Sequence, residues 1–239
     1  MTTVHFIRHG QAGQRDDYDR LSDTGRLQAA LLGEHLCREG VRFDLAVIGG
    51  LRRQRETAEI VLEKLAAAGL APAEIRQDEQ WNEFDLDAVF AGIVPQIAAE
   101  DDEFRLAMEE IERQIRAGDG RIHRVWTPTD SRVVDAWIEG RYTFDGESWA
   151  GFNRRVLSAA EELRRNGNGR RIAVFSSAAP ISIVIASIFG SSNPAHIMGL
   201  AGASINSNVS ILAWRGSETY LGCYNAVAHL GDPALRTFR

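Results

Sequence analysis

Val4-His5-Phe6-Ile7-Arg8-His9-Gly10 opens the chain with an apolar run closed by a base, an imidazole and a glycine. Val4 to Ile7 reads as a first β-strand. In an α/β sheet, ligands collect beyond the carboxyl ends of the strands, so Arg8-His9-Gly10 falls where chemistry usually happens. His9 is there a candidate nucleophile. Gly10 lets the chain turn sharply, and Arg8 offers a planar cationic fork to an oxyanion. Such a triplet also occurs by chance, so its meaning depends on what surrounds it.

The pattern around it alternates strand and helix. Ser22 is an N-cap candidate for a helix whose apolar positions include Leu27, Ala30 and Leu31. A second apolar run, Phe43 to Ile48, ends at Gly49-Gly50 and feeds a helix with Ala58, Val61, Leu62 and Leu65 at helical spacing before Gly69. That spacing puts Arg53 near the helix N-terminus, where backbone N–H groups and the dipole favour an anion. From about Ala88 to Asn166 the pattern is helix after helix, interrupted at Gly118-Asp119-Gly120 and Thr127-Pro128-Thr129-Asp130. Phe104, Met108, Ile111 and Ile115 form one stripe there, and Trp149, Phe152, Val156, Ala160 and Leu163 another, both read as packing faces. Trp126 and Trp137 suit either ordinary packing or a pocket wall. Arg171 to Ser176 returns to strand, Pro180 suits the first turn of a helix through Ile181, Val184, Ile185 and Ile188, and Val209–Trp214 with Thr219–Tyr224 reads as a hairpin.

With 239 residues, 44% hydrophobic and 25% charged, the chain can bury a substantial core. A net charge of −6 argues against nucleic acid as a partner, while a local arginine cluster can still attract an anion. No leader peptide or membrane span is evident, and Cys37 and Cys223 suit a reducing compartment better than a disulfide framework, so the expectation is a cytoplasmic protein. The six histidines are scattered and no spaced set of metal ligands occurs, so no metal is expected. Oligomeric state is not legible at this level.

Further motifs follow the opening one in order. Tyr18-Asp19-Arg20-Leu21-Ser22 precedes Gly25 and Gln28-Ala29; Leu51-Arg52-Arg53-Gln54-Arg55-Glu56-Thr57-Ala58 follows the second strand; then come Asn82-Glu83-Phe84-Asp85, Gly146-Glu147-Ser148, and Asn225 with His229-Leu230. Taken with Arg8-His9-Gly10, they resemble the histidine phosphatase superfamily, also called phosphoglycerate-mutase-like, over nearly the whole chain. The resemblance implies a three-layer α/β/α sandwich with a mainly parallel mixed sheet. It also implies a single domain over 1–239 with a helical cap inserted at approximately 88–150.

Cleaving a phosphomonoester needs an in-line nucleophile, cationic donors for the equatorial oxygens and a proton for the leaving oxygen. The resemblance gives His9 the first role, through a transient phosphohistidine, and a neutral imidazole is nucleophilic near pH 7 in any case. Arg8 and Arg53 would hold the phosphoryl group; were the register to slip, Arg52 would replace Arg53. Glu83 is the candidate general acid, its pKa raised by burial near Trp81 and Phe84, with Asp85 as competitor. Gly10, Gln11, Ser177 and Ala178 complete the expected substrate contacts.

One departure stands out. Many members carry a second catalytic histidine after the strand matching Ile172 to Ser176, and here Ser177-Ala178-Ala179 takes its place. A branch with serine is known. A neutral hydroxyl is a weaker donor than an imidazolium, a loss of roughly 1–2 kcal/mol or about five- to thirtyfold in rate. His229 is a conceivable substitute that already matches another position, and no Gly-x-Ser-x-Gly elbow marks Ser177 as a nucleophile. The expected activity is hydrolysis of a small phosphorylated metabolite without a cofactor, the partner being that substrate or inorganic phosphate. The alternatives are a phosphoglycerate mutase, whose Glu-Arg-x-Tyr-Gly segment is absent after Glu83, and a weakly active phosphate-binding or regulatory protein.

Overall fold

The computed structural model describes residues 1–14, 17–118, 122 and 125–238. In chain order these form β1 (Thr2–Arg8), α1 (Asp23–Arg38), β2 (Leu45–Ile48), α2 (Arg52–Ala67), β3 (Glu74–Gln77) and a 3-10 turn at Glu79–Trp81. There follow α3 (Leu86–Glu100), α4 (Asp102–Arg116), α5 (Pro128–Ile138), α6 (Trp149–Asn166), β4 (Arg171–Ser176), α7 (Ala178–Ile188), α8 (Pro194–Ala203), β5 (Val209–Arg215) and β6 (Glu218–Ala226). The six strands make one sheet in the order β3-β2-β4-β1-β5-β6. β1, β2, β3 and β4 run parallel, and the β5–β6 hairpin joins β1 antiparallel. This is the mixed, mainly parallel α/β sheet that the sequence predicts.

Alternation along β1 explains how both sheet faces are covered. Ile7 lies in a core with Ala29, Leu32 and Leu36 of α1 and Ala58, Val61 and Leu65 of α2. Val4 and Phe6 point the other way and are equally buried, Phe6 against the Trp81 ring at 5.5 Å. Each such large side chain contributes about 2 kcal/mol of apolar burial.

α1 is rotated relative to the sequence expectation. Leu27 is 48% exposed, and Ala30 and Leu31 are only half-buried, while Gln28, Ala29, Leu32 and Leu36 form the inward face. The reason is polar. The Gln28 amide accepts from the Gln11 N–H at 2.7 Å and donates to the Leu235 carbonyl at 2.7 Å and Thr237 Oγ1 at 3.0 Å, so a buried glutamine takes an inward position. Ser22 caps this helix as expected, accepting from the Gly25 N–H at 3.1 Å. Phe43 lies outside β2, which begins at Leu45, and β3 and α8 were not anticipated.

Met1–Gly13, Asp17–Glu83 and Arg155–Arg239 form one compact unit, and Phe84–Arg154 with Gln14 belong to a second. Among its described residues the second contains helices joined by turns, and no strand. Its centre is aromatic: Trp137 stacks on Phe84 at 4.7 Å, meets Trp149 edge-on at 5.5 Å, and donates through Nε1 to the Glu147 carbonyl at 2.9 Å. Trp137 is therefore a packing residue within this unit. Trp126 is 42% exposed and donates to Ser131 Oγ. Of the Gly118-Asp119-Gly120 break, Asp119 and Gly120 lie outside the described residues. Among the described residues no helix is long and apolar enough to cross a membrane.

Candidate active site

β1 and β4 are neighbours at the sheet centre, with Arg8 paired to Ser176, so His9 and Ser177 both lie one residue beyond the strands' carboxyl ends. The His9 N–H continues the ladder by donating to the Ser176 carbonyl at 3.0 Å. His9 is buried. Its Nδ1 lies 2.7 Å from the Gly10 carbonyl, which can only accept, so the ring proton sits on Nδ1 and Nε2 carries the lone pair. Arg53 Nε donates to that Nε2 at 3.2 Å. Burial first, then the charges of Arg53 and Arg8, hold the His9 pKa well below the ordinary imidazole value, so the ring is neutral.

Gly10 serves the loop through close approach rather than an unusual φ. A Cβ at Gly10 would strike the Gly25 carbonyl, and one at Gly25 would strike the Gln11 carbonyl, so the nucleophile loop and the start of α1 touch backbone to backbone. The Gly10 N–H donates to Thr57 Oγ1 at 3.1 Å, which ties the loop to α2. Gln11 turns its side chain to Ser22, whose hydroxyl donates to Gln11 Oε1 at 2.8 Å.

Arg8 departs from the expected free fork. Its Nη1 donates to the Ser204 carbonyl and its Nη2 to that of Phe238 at 2.7 Å, while the buried Nε has no partner. Each terminal nitrogen gives one hydrogen to main chain, which fixes the plane of the guanidinium and leaves Nε unpartnered. Burial lowers the Arg8 pKa from its ordinary value, partly offset by Tyr18 and Glu83 nearby.

Two helix N-termini converge here, and neither is capped by its own N-cap side chain. α2 starts after Leu51, which has no polar side chain, and Asp19 accepts instead from the Arg52 N–H at 3.0 Å and the Arg53 N–H at 3.4 Å. Asp19 also pairs with Arg53 Nη1 at 2.9 Å, and the guanidinium lies over the Tyr18 ring at 4.9 Å. α7 starts after Ser177, whose hydroxyl makes no capping bond, and Glu83 Oε2 accepts from the Ala179 N–H at 3.2 Å. Arg53 is 6% exposed and bonds His9, whereas the Arg52 side chain is half-exposed and pairs with Glu56 at 2.8 Å. Asp85 is exposed and caps α3 through the Ala88 N–H at 2.9 Å, whereas Glu83 sits at the start of α7.

Ser177 is fully buried and Ala178 half-buried. His229 bonds Ser207 Oγ at 2.7 Å, and Ser207 donates its N–H to the His9 carbonyl at 3.0 Å. Burial and His35 lower the His229 pKa to about 4, so it brings no positive charge to replace a missing imidazolium. Sequence reasoning passed over Asp19, Gln54 and Arg155. Arg155 Nη1 donates to the carbonyls of Gln80 at 2.8 Å, Asn82 at 3.1 Å and Glu79 at 3.3 Å, fixing the turn that carries Glu83. Asp19 lies in the Tyr18–Ser22 motif and Gln54 in the Leu51–Ala58 motif, and the apolar Leu51 at the α2 N-cap is the signal that a side chain from elsewhere serves that helix end.

Comparisons with known proteins find the same fold elsewhere. The α-ribazole phosphatase of Shigella flexneri superposes with a TM-score of 0.61 at 19% identity, covering 95% of this chain and 97% of that one. A phosphoserine phosphatase mutant of Entamoeba histolytica in complex with phosphoserine gives 0.57 at 17% identity, covering 96% and 100%. The mitochondrial serine/threonine-protein phosphatase Pgam5 of Drosophila sechellia is 36% identical over 65 residues, 26% of this chain and only 22% of that protein's length. The family model of branch 1 matches residues 4–123 and 111–226, and the chain belongs to the histidine phosphatase superfamily.

Proposed function

We propose that the protein hydrolyses a small phosphomonoester through a phosphohistidine at His9. The observation that carries this reading is the His9 ring itself: buried, neutral, its Nδ1 proton held by the Gly10 carbonyl and its Nε2 facing Arg53. In the first half-reaction Nε2 attacks phosphorus, the P–O ester bond breaks, and the departing alkoxide takes a proton from Glu83. In the second, Glu83 as carboxylate takes a proton from water, whose oxygen attacks phosphorus and breaks the P–N bond. Inorganic phosphate leaves and His9 regains its lone pair.

Arg53 now bonds Nε2, so an entering phosphoryl group takes over that donor, and the guanidinium follows the charge from nitrogen to oxygen. Arg8 contributes its charge and its unpartnered Nε. Ser177 supplies a neutral donor where other members use histidine. The cations are all arginine, so the reaction calls for no metal. Relatives named for α-ribazole phosphate and phosphoserine support a small phosphorylated substrate. Hydrolysis is preferred over mutase transfer because Glu83 runs into Phe84-Asp85 rather than the mutase segment. Residues at approximately 88–150 are read as a helical cap inserted in the single family domain.

Phosphate release from p-nitrophenyl phosphate, with and without chelator, tests the proposal. Turnover should resist the chelator and vanish in His9→Ala, and Glu83→Gln should lose more rate on substrates with poor leaving groups. Full activity in a folded His9→Ala protein would overturn the reading.

A further inference from the structure

Gln54 lies beside the reacting residues and the reaction above leaves it unused. It is fully buried on the first turn of α2, one residue from Arg53. Its orientation is fixed from two sides: Oε1 accepts from the Leu51 N–H at 3.2 Å, and Nε2 donates to the Trp81 carbonyl at 3.1 Å. An N–H and a carbonyl each admit one sense only, so the amide cannot be flipped. The second Nε2 hydrogen then donates to Ser177 Oγ at 2.9 Å.

That bond assigns Ser177 its role. With its oxygen accepting from Gln54 and no capping bond to α7, the hydroxyl proton is left to donate. The backbone makes room for the amide as well, since a Cβ at Gly49 would fall on Gln54 Oε1. We infer that Gln54 is a positioning residue that turns the Ser177 hydroxyl into a hydrogen-bond donor aimed at the phosphoryl oxygens, a paired polar device standing where a single histidine would serve. This inference rests on the reading of the site as a phosphoryl pocket, and it adds the residue that makes a neutral serine usable there.

A double-mutant cycle tests it, with inorganic phosphate as probe and calorimetric affinity as readout, alongside kcat on p-nitrophenyl phosphate. Gln54→Met keeps the length and removes the donors. Gln54→Met and Ser177→Ala should each weaken phosphate binding and lower kcat by about five- to tenfold, and the double variant should lose no more than either alone. Losses that multiply in the double variant would overturn the inference, because Gln54 would then act through Trp81 or the fold and not through Ser177. Should Gln54→Met fail to fold, Gln54→Glu serves: its carboxylate accepts the Ser177 proton, so phosphate affinity should fall at least as far as in Ser177→Ala, and an unchanged affinity contradicts the inference. Coupled losses in phosphate affinity without any turnover by the wild type would sink the hydrolase reading and uphold this one.

Discussion

Lowering the pH from 7 to 5 should destabilise the protein steeply, and His5→Leu should remove a defined share of that loss. His5 is 8% exposed on β1, edge-on to Phe43 at 5.2 Å, with Nδ1 buried and unpartnered. Burial, reinforced by Arg171, lowers its pKa from 6.5 to about 4. The unfolded chain therefore binds the proton first. The stabilising contribution is full above the unfolded value near 6.5 and is lost as pH falls towards 4. At pH 5 the unfolded histidine is protonated and the folded one is not, which costs about 2 kcal/mol relative to pH 7. His229, also near 4, adds a similar amount, and His9 shifts in the same direction. Urea unfolding at pH 7 and pH 5 measures the difference. Leucine fills the His5 site without leaving a partner unsatisfied, so His5→Leu should match or exceed wild-type stability at pH 7 and lose about 2 kcal/mol less on going to pH 5. Equal pH dependence in the two proteins would refute the assignment of His5 as a buried neutral imidazole.

Asp19→Asn removes the carboxylate that competes with phosphate for Arg53; Asp19 is half-exposed while Arg53 is buried, so inorganic phosphate should inhibit up to about fivefold more tightly in this variant, read from its inhibition constant at low salt. Gly25→Ala would drive a Cβ into the Gln11 carbonyl and separate the nucleophile loop from α1, with about 1–3 kcal/mol lost in thermal or urea unfolding and kcat reduced together with stability. Arg155→Met releases three carbonyls of the 79–82 turn, so Glu83 loses its placement: kcat should drop by about tenfold while phosphate affinity holds, a split that steady-state kinetics and calorimetry resolve.

How far the sequence speaks depends on how local the cause is. Ile7 and Leu65 bury where the two periodicities put them, and the β5–β6 hairpin forms around Gly216-Ser217 because turn chemistry and alternation are written in neighbouring residues. β3 is Glu-Ile-Arg-Gln and mostly exposed, so nothing in its alternation marks a strand; it exists because β2 offers it an edge. α8 buries little beyond Ile197 and shows no stripe. At the site, the Arg8-His9-Gly10 and Arg53 motifs place charge and imidazole together, since a strand end and a helix N-terminus fix both. What the motifs do not convey is how those groups are held. Arg8 is gripped by the carbonyls of Ser204 and Phe238, and His9 rests on Ser207 behind it, contacts between residues almost 200 or more positions apart that only the folded chain assembles.

The most direct test of the phosphohistidine account is to quench the protein during turnover of a labelled phosphomonoester and locate the label. An acid-labile phosphate on the peptide carrying His9, absent from a folded His9→Ala protein and discharged by water in the wild type, is the predicted result. Steady turnover with no label on His9, or with the label on Ser177, would contradict it.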